Sequence, residues 1–171
     1  MRGMSRLHLR LRLMGALAAA CLLQSASPSF AATTTATFTV QVTITATCSI
    51  NSASTLNFGS QGVLTANVDQ TSTIQVQCSN TTPYNIGLDA GIGTGATVAV
   101  RKMTSGGATV NYSLYSDTGR TTVWGNTIGT NTVAATGTGA AQSYTVYGRV
   151  PAQTTPAPGT YTDTVTVTVT Y

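Results

Sequence analysis

From Ala36 to Ala46 the chain alternates without a break, with Ala36, Phe38, Val40, Val42, Ile44 and Ala46 on one phase and only Thr or Gln on the other. A period of two puts these sets on opposite faces of an extended strand, a pattern no helix reproduces. The apolar face has to be covered by the edge of a sheet, in the same domain or in another molecule. A second run of this kind closes the sequence, where Val165, Val167, Val169 and Tyr171 alternate with Thr164, Thr166, Thr168 and Thr170. Thr is abundant, Leu is scarce outside the first residues and Glu is absent, so no segment reads as an amphipathic helix. Thr is β-branched and suits a pleated, half-exposed surface, and the class expected is all-β.

Residues 1–31 read as a secretory signal peptide. Arg2, Arg6, Arg10 and Arg12 form a basic start, Leu13 to Leu23 an apolar run too short to span a bilayer comfortably, and Ser29-Phe30-Ala31 a small-residue cleavage site. Cys21 as a lipidated residue is the rival, disfavoured because Ala18-Ala19-Ala20 lacks the large aliphatic residue usual before a lipidated Cys. The formal charge of +4 comes entirely from the four leader arginines. Beyond them Arg101, Lys102, Arg120 and Arg149 balance Asp69, Asp89, Asp117 and Asp163, four against four, for a net charge of zero. A nucleic-acid or anionic-membrane role thereby loses its electrostatic basis. About 140 residues follow the leader, enough for one domain with a real core.

Cys48 and Cys78 are the two cysteines outside the leader, and an exported chain is expected to join them. The bridge would close a loop of about 30 residues, worth on the order of 3–4 kcal/mol in the chain-entropy model. Further strand-like runs are Cys48–Ile50, Leu56–Phe58, Thr73–Cys78, Tyr84–Leu88, Thr97–Met103, Val110–Tyr115, Thr121–Trp124, Ser143–Val150 and Tyr161–Tyr171. Ser105-Gly106-Gly107 marks a hairpin, and Gly91 to Ala96 and Gly125 to Ala141 read as loops. Pro151 to Gly159 is a proline-marked connection within the same domain. Turns at this spacing suggest a β-sandwich.

Catalytic chemistry has little to build on. The single His lies in the leader and Glu is absent, so beyond residue 31 neither a Ser/His/Asp triad nor a His-based metal site can be assembled. Asp117-Thr118-Gly119 resembles the local aspartic-protease signature, but those enzymes pair two such carboxylates and no second copy exists here. Gly91-Ile92-Gly93-Thr94-Gly95 precedes a β-like segment, not the helix N-terminus that a phosphate loop requires. Tyr112, Tyr115, Tyr144, Tyr147 and Trp124 could line a carbohydrate site, though cross-strand packing accounts for them as well. No enzyme activity, cofactor, metal or small-molecule substrate is expected.

The order of motifs carries a resemblance. After the leader and the alternating strand come Cys48-Ser49-Ile50, Leu56-Asn57-Phe58-Gly59, Val76-Gln77-Cys78, Asn111-Tyr112-Ser113-Leu114-Tyr115 and Trp124-Gly125. The chain closes on Gly148-Arg149-Val150-Pro151-Ala152-Gln153 and Pro158-Gly159-Thr160-Tyr161-Thr162-Asp163, followed by the alternating valines. This resembles the spore coat protein U domain family, which includes the Csu-type pilins of the archaic chaperone–usher pathway. The resemblance implies an immunoglobulin-like pilin sandwich lacking one strand, kept soluble by a periplasmic chaperone and assembled at an outer-membrane usher. It implies that like subunits join by strand donation, with residues 32–47 as donor strand, residues 48–171 as the sandwich and Phe38, Val40, Val42 and Ile44 as the donated side chains. Cys48–Cys78 would be the pilin disulfide. The terminal strand, with Val165, Val167, Val169 and Tyr171, would be both core element and chaperone contact. The function implied is structural: a surface fimbria, exported through the periplasm, with a part in adhesion or biofilm formation. A spore or cell-coat protein of the same fold is the nearest alternative, and a secreted carbohydrate-binding module is the alternative from another class.

Overall fold

The protein is described by a computed structural model covering residues 28–171. Residues 1–27 of the expected leader, Cys21 among them, lie outside the described residues. The chain divides into two units, Met1–Gln41 and Val42–Tyr171. In the first, residues 28–41 enter no strand, and Phe38 and Val40 are 87% and 83% exposed.

The second unit has eight strands: β1 (Cys48–Ala53), β2 (Val68–Cys78), β3 (Pro83–Leu88), β4 (Arg101–Ser105), β5 (Ala108–Tyr115), β6 (Val133–Thr136), β7 (Ala141–Val150) and β8 (Val167–Thr170). No helix occurs among the described residues. All pairings are antiparallel and build two sheets, β1-β2-β7-β5-β4 and β6-β3-β8. The inward phases of both meet in one core: Ile74, Val76, Val110, Tyr112, Leu114, Val146 and Val150 from the larger sheet, and Tyr84, Ile86 and Leu88 from the smaller. Each fully buried aliphatic side chain there contributes roughly 1.5–3 kcal/mol. Trp124 is buried among them and donates its indole N–H to Ile86 O at 2.8 Å. The result is the expected all-β sandwich.

Local chemistry explains individual elements. Ser105 pairs with Ala108 across a two-residue turn whose first residue, Gly106, has φ 56°, a conformation that side chains with a Cβ resist. The bridge between Cys48 and Cys78 joins two register partners of β1 and β2. The terminal segment changes sheets: Thr162 bridges to Thr104 beside β4, and from Val167 the chain pairs with β3.

Several expected boundaries move. Ala36–Ala46 forms no strand, because its backbone has no sheet partner among the described residues. Leu56–Phe58 is irregular although Phe58 is buried, being held by its ring and by side-chain bonds instead of a ladder. Thr97–Val100 is a turn and β4 starts only at Arg101. Of Thr121–Trp124 only Val123 pairs, in a bridge with Tyr115. β6 lies inside the expected loop Gly125–Ala141. The run Tyr161–Tyr171 is a strand only from Val167 to Thr170, since the sheet change interrupts its pairing. Tyr171 falls beyond β8 and is 60% exposed, so it is not a core residue, whereas Val165, Val167 and Val169 pack against the core.

Candidate functional site

A cleft of about 1110 Å³ lies between the two sheets. One wall is the segment from Ala53 to Gly62 with Leu64, and the other runs from Thr155 to Val165 with Val167. Ile74, Leu88, Val110, Leu114, Val146 and Val150 form its floor. No backbone hydrogen bond joins residues 53–62 to residues 155–167 among the described residues. Two extended, irregular segments therefore face each other without a shared ladder. Unpaired backbone along two such solvent-open segments is a template for pairing, so the gap can accept an added strand.

Each wall is tied back to its own side. Ser54 N donates to Thr73 O at 2.9 Å, beyond which β2 no longer accompanies the segment. Gly59 N then donates to Asn57 Oδ1 at 2.8 Å, and Gln61 Nε2 to Phe58 O at 2.6 Å. Phe58 and Leu56 rest over Gly148 of β7, where an added Cβ would lie 2.7 Å from Leu56 Cδ1 and 3.0 Å from Phe58 Cζ. Only glycine lets this wall settle so closely onto the sheet. At the cleft's far end Leu64 N donates to the Thr155 hydroxyl at 2.8 Å.

The opposite wall alternates sharply: Tyr161, Asp163, Val165, Val167 and Val169 are half-buried, and Thr160, Thr162, Thr164, Thr166, Thr168 and Thr170 are exposed. Carboxylates replace the ladder where this segment changes sheets. Asp163 accepts from Tyr112 Oη at 2.7 Å, Ile92 N at 2.8 Å and Thr164 N at 2.8 Å. Asp89 accepts from Thr166 N and Gly91 N, both at 2.9 Å. Burial pushes the Asp89 carboxyl up, but the Thr166 and Gly91 bonds outweigh it and hold the group below its ordinary value. Burial, reinforced by the bond to Asp163, pushes the Tyr112 phenol well above its ordinary value. Behind the corner Arg101, wholly buried, donates to the carbonyls of Leu88, Asp89, Val98 and Trp124. Burial lowers its pKa, and Tyr112, Asp89 and Asp163 act against that.

Two of the edge strands that line the cleft, β1 through Ala53 and β8 through Val167, carry no strand on their outer side among the described residues. β1 ends one side of the larger sheet and β8 one side of the smaller. Ile50 on β1 is 42% exposed. Upstream of β1, Val42 and Ile44 are 80% and 79% exposed.

Other candidates resolve into structure. The Asp117 carboxylate accepts from Thr122 N, Thr121 N and the Thr121 hydroxyl, which depresses its pKa and closes a turn around Arg120 at φ 56°. Trp124 and Tyr112 are core residues, so they offer no sugar-stacking face, while Tyr115, Tyr144 and Tyr147 are half-exposed. No group of three or more His, Cys, Asp or Glu with metal-binding geometry occurs among the described residues. The sequence pattern gave no hint of Thr155–Thr160 or Met103 as cleft residues, and none of the polar corner. An Asp on the apolar phase of the last run, at Asp163, was the one available signal.

The sequence profile of the Spore Coat Protein U domain matches residues 34–168. The chain belongs to the Spore Coat Protein U domain family. It is 37% identical over 173 aligned residues to Protein U of Myxococcus xanthus, covering 92% of this chain and 96% of that one. Among solved structures it resembles a chain from the CsuC–CsuE chaperone–tip adhesion subunit pre-assembly complex of archaic chaperone–usher Csu pili of Acinetobacter baumannii. That likeness has a TM-score of 0.57 at 24% identity over 75% of this chain, and this chain spans 41% of the solved one. At that identity it is a likeness of fold, one that a Spore Coat Protein U domain shares with the Csu system.

Proposed function

We propose that this chain is a non-enzymatic structural subunit of a surface fimbria, assembled when the segment before Cys48 of one copy enters the inter-sheet cleft of the next. One observation carries the reading: the same chain has a cleft whose two walls share no ladder and a strand-patterned segment whose apolar side chains, Phe38, Val40, Val42 and Ile44, are exposed. Phe38, Val40, Val42 and Ile44 are the donated side chains, all on one phase. Burying four such side chains gains roughly 6–12 kcal/mol, and backbone pairing with the walls would satisfy groups that now lack a strand neighbour.

Before assembly the cleft needs a temporary occupant, the role of a periplasmic chaperone, with Val165, Val167 and Val169 as its contact. An outer-membrane usher would be the exit. The family and the fold likeness to a chaperone–subunit complex support this placement, and adhesion or biofilm formation is the use it implies. A coat layer built from the same joined subunits is a second reading, favoured by the family's description.

The test is to export the chain with and without residues 32–46 and measure oligomeric state and co-purifying protein. The reading expects polymers from the complete chain, and from the shortened one a folded subunit that does not polymerise. Equal oligomeric states for the two would overturn it.

A further inference from the structure

The base of the N-terminal segment is fastened in a way that the sandwich does not itself require. β2 ends at Cys78, and Asn80-Thr81 turn the chain away, with Thr81 at φ 63°. The β1–β2 ladder nevertheless extends one pair past the disulfide, because Ser79 N donates to Thr47 O at 2.9 Å. The Ser79 side chain then replaces the strand neighbour that the turn removes. Its oxygen accepts from Thr47 N at 3.1 Å, and its hydroxyl donates to Thr45 O at 3.0 Å, with Thr47 O at 3.3 Å as the alternative acceptor. A short hydroxyl bonding to nearby backbone commonly substitutes for a ladder in this way.

The fastening is itself backed. Gly139 N donates to Cys78 O at 3.1 Å, and Gly137 lies so close to Ser79 O and Cys78 Cβ that no side chain would fit there. The disulfide fixes the other side. Ile44, one residue before Thr45, is 79% exposed.

We infer that Ser79 is a positioning residue for strand donation: it ends the donated part at Thr45 and sets the direction in which residues 42–44 leave the subunit. The inference rests on the strand-donation reading above. The last donated side chain, Ile44, and the first fastened residue, Thr45, are consecutive, so no flexible linker separates the donated strand from the body. The angle between successive subunits is then set at this root, unlike a joint through a Gly/Ser-rich spacer, which would leave it free.

The test compares polymers of the wild-type chain, Ser79→Ala and Ser79→Thr. Electron microscopy reads the distribution of angles between neighbouring subunits, and amide exchange reads residues 42–47. In Ser79→Ala the polymers still form, the angular spread at least doubles, and the Thr47 amide exchanges about tenfold faster, the effect of losing one hydrogen bond. Ser79→Thr, which keeps the hydroxyl, stays close to wild type in both. If Ser79→Ala does not accumulate, Thr47→Pro removes the Thr47 N–H while leaving Ser79 in place and should widen the angles likewise. An unchanged angular spread in the hydroxyl-lacking or Thr47→Pro polymers overturns the inference and leaves strand donation standing. A wild-type chain that never polymerises overturns both.

Discussion

Gln153 and Arg101 are polar side chains that complete the backbone of the interior. Gln153 Nε2 donates to Asn111 O at 2.9 Å while its Oε1 accepts from Asn111 N at 3.0 Å, so its amide acts as a strand neighbour to β5 where β7 has ended. Gln153→Ala should cost about 1–3 kcal/mol, read as a lower urea midpoint, because both groups of Asn111 lose their partner. Arg101→Leu leaves four carbonyls short of a donor, and a loss of about 3–5 kcal/mol is expected, near the limit of what one such domain tolerates. The carboxylates set the pH dependence. Asp69 is held low by its bond to Arg149, with burial opposing, and Asp89 is held low at the cleft corner. A carboxyl depressed in the folded state adds stability above its unfolded value and loses it as pH falls through the folded one. The urea midpoint should therefore be flat from about pH 7 to pH 5 and fall below about pH 4, with a shallower fall in Asp89→Asn. The raised phenols of Tyr112 and Tyr144 act at the other end, with stability dropping above about pH 10 as the unfolded chain ionises first.

Among the elements, β8 is short but closes the smaller sheet against β3, and its valines pack on the core beside Ile86 and Leu88. Deleting Val167 to Tyr171 should abolish accumulation of the exported chain, checked by periplasmic yield and thermal melts. Normal yield and melting would show that the terminal strand is dispensable. This strand was legible in the sequence because Val and Thr alternate there, as were β2, β3, β5 and β7, whose inward phases are apolar. The disulfide was legible by elimination among the cysteines. β6 was not, since Val133-Ala134-Ala135-Thr136 is weakly apolar and flanked by Gly, Thr and Asn. Leu56–Phe58 misled because its apolar residues are buried without pairing. The cleft itself was not legible: the terminal valines read only as core and chaperone contact, Pro156 to Thr160 carries no period, and its place is fixed by contacts far along the chain, such as Thr155 with Leu64. The corner held by Asp89, Asp163 and Arg101 depends on side chains meeting across three segments, which spacing in one sequence does not encode.

At the scale of the molecule, the apolar face of Ala36–Ala46 needs a surface that buries it. Exposed Val42 and Ile44 and a cleft without a central strand fit burial in a second copy. An unpaired carboxylate in an apolar groove costs several kcal/mol, on the order of half of what burying four such apolar side chains would gain together. Thr43 lies one residue along, on the opposite face, where a carboxylate remains in water. The most direct measurement is size-exclusion chromatography with thermal melts of wild type, Val42→Asp and Thr43→Asp after removal of any chaperone. Strand donation predicts that Val42→Asp loses the polymer while the subunit keeps its fold and disulfide, and that Thr43→Asp matches wild type. A wild-type chain that stays monomeric at high concentration, and whose melting temperature falls with Val42→Asp, would contradict it.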